Sequence, residues 1–596
     1  MNKIALLFCV LLFSCQESEK DTSEKVSTEL ENVNQTQTYQ GELVGESDPI
    51  ASPEATVGGT LKKWGSLFPK SLNYWLDQWH ISAEISHLQF ESLVSLHSTE
   101  NKFRGVLAES WEMGADSLSF TFKIRPEAKW SDGKAITAGD FQFYYDVMMN
   151  PKNLTPAFRV GLKRFLRPEV IDEQTIKIVA KKKHWSNFNE AGGLMAFPEH
   201  IWKDVDFNKQ RFDFPVTSGP YRIKGKVKKG RSLTMERRTD WWGWKLKYNE
   251  HKYNFKYIKY KFMEDQNKVL ESFKKGELDV YAVYTSSIWM KKTNFPAVKN
   301  GWVVRQQVYN QEPKGFQGFA INMRREKFKD VRVRQALAHL VNRRKMNEKL
   351  MFNVYFLLNS YFPDLYPNNL NPEVDLAEFE PDKARALLKE AGWKVNSKGY
   401  LAKNGKVFDI VFYTAGTENR HLNIYIEDLK AVGIKSSIEK TSKSTLTKKL
   451  DDKEFDMYWS AFGAGRLRDP ESQWHSDGAN QKASHNYSGV ADEVIDSLIE
   501  VQKGLMNVDK RNDVLKAIDR RLNEIVPFAL LWQSDHARML YWNKFGTPTY
   551  VLDKYNREDI VAEYWWLDKE KEAQLEKAKK EGSPLPMKPL KVHYRE

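Results

Sequence analysis

The sequence predicts a mixed α/β protein of more than one domain, and three observations carry that prediction. At 596 residues the chain exceeds what a single hydrophobic core holds, so two or three domains are expected. Stretches with period-two apolar alternation and stretches with helical apolar spacing interleave along the chain, the pattern of α/β or α+β domains. No segment repeats at a fixed period, so no repeat architecture is expected.

The first element is a processing signal. Lys3 precedes an apolar run from Ile4 to Phe13, then Ser14 and Cys15. A basic start and a short apolar core mark a secretory signal over residues 1–14. The run is too short for a membrane-spanning helix, which needs ~20 apolar residues. Leu12-Phe13-Ser14-Cys15 resembles the bacterial lipobox, which implies cleavage before Cys15 and lipidation of its thiol. Residues 15–54 are rich in Ser, Glu, Thr, Gln and Asn, and are expected to form a flexible tether to the membrane. Cys9 and Cys15 are the only cysteines, so the body has no disulfide, no thiolate nucleophile and no cysteine metal site.

The body then reads element by element. Thr60 to Trp64 is a strand after Gly58-Gly59, and His87 to Val94 has helical spacing. Strands and hairpins fill about 105–125 and 170–182. In the first of these, Phe120, Phe122 and Ile124 alternate with polar residues, Ser131-Asp132-Gly133 suits a turn, and Thr137 with Asp140 approximates a capping box for a helix ending near Asn150-Pro151. Asp132 and Asp140 are therefore read as turn and cap residues, not as an acid and a base. Thr217 to Ile223 is a turn feeding a strand, and Tyr253 to Phe262 alternates as a strand. Helices are expected over Asn267 to Lys275, Val331 to Leu350, Pro381 to Ala391, Asn419 to Val432, Ala491 to Val501 and Asp509 to Glu524. Phe408 to Phe412 and Pro527 to Trp532 read as buried strands. Residues 569–596, Lys- and Glu-rich and then Pro-rich, read as a surface extension.

Composition narrows the function. The net charge of +13 is spread widely, with no arginine-rich arm, zinc-finger spacing or RNA-recognition signature, which argues against nucleic acid. No HExxH or GxSxG motif occurs, and Gly219 to Val227 lacks the glycine spacing and terminal Ser or Thr of a phosphate-binding loop. His475, Asp477 and His485 are too loosely spaced in a polar loop to argue for a metal. No catalytic residue, cofactor or metal ligand is assigned. Carboxylate pairs for glycoside hydrolysis depend on spatial proximity, and no motif argues for them. Nineteen tryptophans, 25 tyrosines and 33 phenylalanines suffice both to fill large cores and to line a cleft.

Nine blocks in order carry a resemblance. They are GGTLKKW (58–64), HLQFESLVSL (87–96), LAESWE (107–112), SLSFTFKIRPEAKWSDGKAITAGDFQF (117–143), TSGPYRI (217–223), DVRVRQALAHLVNRRKM (330–346), PDKARALLKEAGW (381–393), FDMYW (455–459) and NYSG with the following IDSLI (486–499). This order resembles the family 5 extracellular solute-binding proteins, the oligopeptide and dipeptide receptors of ABC importers, from Gly58 to about Pro548. Asn359 to Phe362 and the Trp-rich blocks resemble the subgroup that takes up longer or modified peptides such as microcin C.

The resemblance implies a two-lobed clamshell of the type II periplasmic-binding-protein fold (cluster C), with an extra subdomain in the first lobe. The first lobe is expected over 55–319, with the subdomain at about 96–214. The second is expected over 320–525, with a return to the first over 526–568 and crossings near 315–322 and 524–530. It implies a monomer that binds an oligopeptide and delivers it to an ABC permease and ATPase complex, at a bacterial membrane or in the periplasm. Ligand-facing candidates are Trp459, Phe462, Trp474, Asn486, Tyr487 and Trp532. Family receptors of free peptides place an Asp shortly after the FDM…W strand to pair with the α-amine. Here the first acid is Asp469, and Arg466 and Arg468 precede it, so either Asp469 substitutes or the arginines favour an anionic group. An oligosaccharide binder with stacking aromatics is the rival reading, and a surface scaffold protein a third.

Overall fold

The computed structural model describes residues 37–40, 46–225, 227, 230–415 and 420–595. The signal segment, Cys15 and most of the expected tether lie outside the described residues.

Four larger sheets organise the molecule. The first joins Gln37–Gln40, Ala108–Met113, Ser119–Ile124, Thr175–Val179 and Glu169–Asp172, all antiparallel. In the second, Thr60–Trp64 runs parallel to Tyr257–Lys261, followed by Ser232–Arg237 and Tyr221–Ile223. The third orders Val280–Ala282, His536–Trp542, Val303–Tyr309 and Lys591–His593. The fourth orders Lys435–Lys440, Asp409–Thr414, Met457–Phe462, Phe316–Ile321 and Phe528–Leu530.

Packing divides these sheets into two bodies. The largest core draws on residues from Ile50 to Val308 and again from Ala537 to Trp565, and a neighbouring core takes Val269 to Val303 with Leu540, Trp542 and Leu575. The other two cores lie wholly between Phe316 and Trp532. They cover opposite faces of the fourth sheet, as the pleat requires: Phe319 and Ile321 enter one, Phe316 and Ala320 the other.

Local signals explain most elements. Asp140 closes the expected capping box: its Oδ2 accepts the Thr137 N–H at 2.9 Å and the Trp130 indole at 3.2 Å. Asp132 turns its other oxygen to His200 Nε2 at 2.7 Å, which ties the Ser131-Asp132-Gly133 turn to a neighbouring helix. Both acids are scaffold. The helix expected over His87 to Val94 instead runs His80–Gln89. The N–H groups of Ser218 and Gly219 donate to the Gln89 carbonyl at 3.0 and 2.8 Å, and a side chain at Gly219 would meet the Leu88 carbonyl oxygen at 2.7 Å. Contacts distant in sequence thus end that helix early. The long helix expected over Val331 to Leu350 is two, Val331–His339 and Arg343–Met351. Asn342 caps the second by accepting the Lys345 N–H at 3.1 Å.

Both chain ends depart from expectation. Gln37–Gln40 adds to the first sheet, and Asp48 is buried, with Lys252 Nζ at 2.9 Å and the Tyr564 hydroxyl at 2.8 Å. Burial raises the Asp48 carboxyl, and the Lys252 charge and the hydrogen bonds outweigh it, holding the group below its ordinary range. Residues 37–40 and 48, expected in the tether, are thus held by the folded body. At the other end, Lys569–Glu581 buries Leu575 and Ala578, and Lys591–His593 pairs parallel with Val303–Tyr309. The extension is a working edge strand, hidden in the sequence by its charged composition.

Glu91 supplies a pH test of the first core. Its side chain is 8% exposed and accepts from the Trp242 indole at 3.1 Å. Burial outweighs these donors and raises its carboxyl to about 7. The folded state then holds a proton that the unfolded chain releases near 4.5, so this group's contribution falls as pH rises from about 4.5 to 7. Glu91→Gln is expected to raise stability over the parent at pH 8 by on the order of 2–3 kcal/mol, with the gain vanishing by pH 4.5. Denaturant melts of both proteins across that range check it.

Candidate ligand cleft between the two bodies

The chain passes between the bodies twice. Val303–Tyr309 belongs to the third sheet and Phe316–Ile321 to the fourth, so the first passage is residues 310–315. Trp532–Gln533 still pairs with Phe356–Leu357, and His536–Trp542 re-enters the third sheet, so the second passage is residues 534–535. Both differ from the expected crossings, the second by several residues, because Phe528–Leu530 pairs with Phe316–Ile321 before the chain leaves.

A cavity of about 310 Å³ opens beside these passages. From the second body, Gln317, Trp459, His421 and Trp532 face it. Met457 and Trp459 share one face of their strand, and Trp459 sits opposite Phe319. Trp459 is 42% exposed, whereas Trp532 is 4% exposed and also belongs to the core beneath. His421 lies between them, its ring centre 6.5 Å from that of Trp459 and 6.1 Å from that of Trp532. Burial lowers its pKa, so the imidazole is neutral. From the first body come Tyr284, Arg538 and Glu558. Glu558 accepts the Tyr284 hydroxyl. Burial and the neighbouring Asp559 charge raise its carboxyl to about 7.

The remaining sequence candidates fall elsewhere. Trp474, expected in the cleft, is 1% exposed on the opposite face of the fourth sheet, stacked on Phe316 at 5.7 Å. Phe462 packs on that face too, 5.1 Å from Phe316 and 5.9 Å from Tyr487, so neither it nor Tyr487 lines this cavity. Two-residue periodicity separates Phe462 from Trp459. Asn486 is also corrected: it is buried, and its Oδ1 accepts the N–H groups of Gly489 and Val490 at 2.9 Å, which makes it a turn residue.

Arg466 and Asp469 reach across the gap to protein, not into this cavity. Arg466 Nη1 donates to the His97 carbonyl at 2.7 Å, Nη2 donates to the Glu100 carbonyl and to Asn101 Oδ1, and the guanidinium lies 4.1 Å over the Tyr555 ring. Arg468 pairs with Asp364 inside the second body. Asp469 Oδ1 accepts the Glu471 N–H at 3.0 Å, and its Oδ2 lies 3.5 Å from His184 Nε2 of the first body. The neighbouring Trp185 donates its indole N–H to Gln502 at 3.0 Å and its backbone N–H to the Lys503 carbonyl at 2.9 Å. Two sets of struts therefore join the bodies away from the passages. Trp185, His421 and Arg538 were missed from the sequence. Arg538 had a signal, as a lone guanidinium in the otherwise apolar run Ala537 to Trp542.

His184, Asp469 and Glu471 lie close enough together to suggest a metal. The tautomer argues otherwise. His184 Nδ1 accepts the Ser186 N–H at 3.1 Å, so neutral imidazole carries its proton on Nε2, pointing at Asp469. His97, near Glu46 and Glu100, is fixed the same way by the N–H groups of Thr99 and Glu100. His80 is raised to about 8, mainly by its bond to Asp559, and forms an ion pair there.

Comparison with known proteins gives the same outline. The model of the bacterial extracellular solute-binding proteins, family 5, middle region, matches residues 102–484. A probable peptide-binding protein, YejA, of Agrobacterium fabrum is 28% identical over 548 residues, covering 83% of this chain and 87% of that one. The oligopeptide-binding protein AppA of Bacillus subtilis, solved with a nonapeptide, aligns with TM-score 0.68 at 22% identity, over 86% of this chain and all of that one. The periplasmic binding protein DppA of Helicobacter pylori, solved with the peptide STSA, aligns with TM-score 0.69 at 16% identity, over 86% and 99% of the two chains. The fold is thus the two-lobed type II periplasmic-binding-protein clamshell.

Proposed function

The chain belongs to the bacterial extracellular solute-binding proteins, family 5, and from that premise we propose that it captures oligopeptides in the cleft and hands them to an ABC importer. The observation that carries this reading is the cavity at the double passage, walled by Trp459 and Trp532 from one lobe and by Tyr284 and Arg538 from the other. A ligand there touches both lobes at once, so it binds the closed arrangement better than an open one and draws the lobes together. Backbone hydrogen bonding along an extended peptide tolerates varied side chains, while the tryptophans supply apolar contact. The peptide names of the relatives support the ligand class.

Family membership makes the protein extracytoplasmic. No helix among the described residues is long and apolar enough to cross a membrane. Lipidation at Cys15 is the proposed anchor, supported by the lipobox-like Leu12-Phe13-Ser14-Cys15. Acyl chains contribute ~0.8 kcal/mol per buried CH₂, enough together to hold the protein at a bilayer.

The test is the native mass of the protein from residue 16 onward, taken with a pool of three- to nine-residue peptides and, separately, with a pool of oligosaccharides. Discrete peptide adducts are expected, and their masses give the length range. Oligosaccharide adducts with no peptide adducts overturn the reading.

A further inference from the structure

Arg538 is out of balance with its surroundings. It projects from the central strand His536–Trp542, is 6% exposed, and lines the cavity. Its Nη2 donates to the Tyr284 carbonyl and, at 2.9 Å, to the Tyr355 hydroxyl. Its Nη1 is buried with no hydrogen-bond partner among the described residues. A guanidinium carries five donors and a fixed positive charge, and removing it from water is unfavourable unless an anion faces it.

The acids around the cavity are each committed elsewhere. Glu558 accepts the Tyr284 hydroxyl. Asp535 pairs with His536 Nδ1 at 2.6 Å. Glu312 pairs with Arg557 and, at 2.8 Å, with Lys314. His421, also on the cavity wall, is held below its ordinary pKa by burial and offers no charge at neutral pH, and Arg557 there is taken by Glu312. Tyr284 stands between Arg538 and Glu558, bonded to the first by its backbone and to the second by its hydroxyl.

We propose that Arg538 is the anion anchor of the cleft and that the ligand presents a carboxylate to it. This inference rests on the peptide reading above and narrows it to peptides whose free carboxylate enters the closed cleft. The carboxylate accepts from Nη1, while Nη2 stays on the two tyrosines as the fixed side of the fork. Tyr355 comes from the second lobe and Arg538 from the first, so the carboxylate would bind at a point where both lobes meet. The same chemistry is offered by a peptide C-terminus and by an acidic side chain. The C-terminus is the proposed source, since it is the carboxylate common to all free peptides and leaves side chains unrestricted.

The experiment titrates the soluble protein with three matched alanine-based peptide sets: free C-terminal acids, their C-terminal amides, and amides carrying one Glu. Free acids are expected to bind at least tenfold tighter than amides. Arg538→Gln and Arg538→Lys are measured beside the parent, with thermal melts of the unliganded proteins. Arg538→Gln is expected to bring acids and amides to the same affinity and to leave the unliganded melting temperature unchanged or raised. Arg538→Lys is expected to keep part of the preference. A residue that only positions Tyr284 and Tyr355 would weaken acids and amides alike, leaving their ratio intact, and that result overturns the proposal. Equal parental affinity for acids and amides overturns it too, while sparing the peptide reading. Tight binding of the Glu-bearing amides alone overturns the C-terminal assignment. Binding of none of the three sets overturns the peptide reading and the anchor with it.

Discussion

Trp474→Ala is expected to lower the unfolding free energy of the second lobe by about 3–5 kcal/mol, the loss seen when a large aromatic is cut from a packed core. Trp474 sits in a cage of rings, 5.7 Å from Phe316, 5.3 Å from Tyr361 and 6.0 Å from Phe528, and is 1% exposed. No neighbour can collapse into that volume without breaking the Phe316–Phe528 edge contact, which also joins two strands of the fourth sheet. Trp459→Ala, on the cavity face of the same sheet, offers the contrast: at 42% exposure it is expected to change stability by less than about 1 kcal/mol while weakening peptide binding. Denaturant melts of the two variants, paired with peptide titrations, separate core from cleft.

Arg466→Ala is the second large effect, and it is expected in affinity, not in stability. The Arg466 guanidinium belongs to the second lobe, and its partners His97, Glu100, Asn101 and Tyr555 belong to the first. These contacts exist only while the lobes are together, so their loss favours the open arrangement. A hydrogen bond to a charged group contributes about 1.5–3 kcal/mol, which corresponds to a loss of peptide affinity of roughly 10- to 100-fold. The fold of each lobe is untouched, so the melting curve is expected to stay within error of the parent. Peptide titration and label distances across the cleft check both parts.

The fold was largely legible in the sequence because its strands and helices carry ordinary signals. The alternation of Phe120, Phe122 and Ile124, and Thr137 paired with Asp140, gave a strand and a capped helix where both are found. What escaped was set by distant contacts. The Gln89 carbonyl is taken by residues 218 and 219, which ends a helix its own sequence would continue. Asp48 is held by Lys252 and Tyr564, some 200 and 500 positions away, so nothing local marks it as buried.

The cleft was half legible for the same reason. Aromatic residues near the FDMYW strand stood out, but a count of aromatics does not say which face each one takes. Trp459 falls on the cavity face and Phe462 on the core face of one strand. Arg466 and Asp469 stood out as charges, and sequence had no means to show that protein carbonyls and a histidine of the other lobe take them up.

The central claim is that peptide draws two lobes together, and a distance across the cleft tests it most directly. Both native cysteines precede residue 16, so the soluble body accepts a unique label pair at Lys182→Cys and Glu493→Cys, both exposed positions on opposite lobes. Pulsed spin-label distances are recorded without peptide and with the saturating pool. A broad, longer distribution that narrows and shortens on peptide addition is expected. A distribution that stays the same with and without peptide contradicts it.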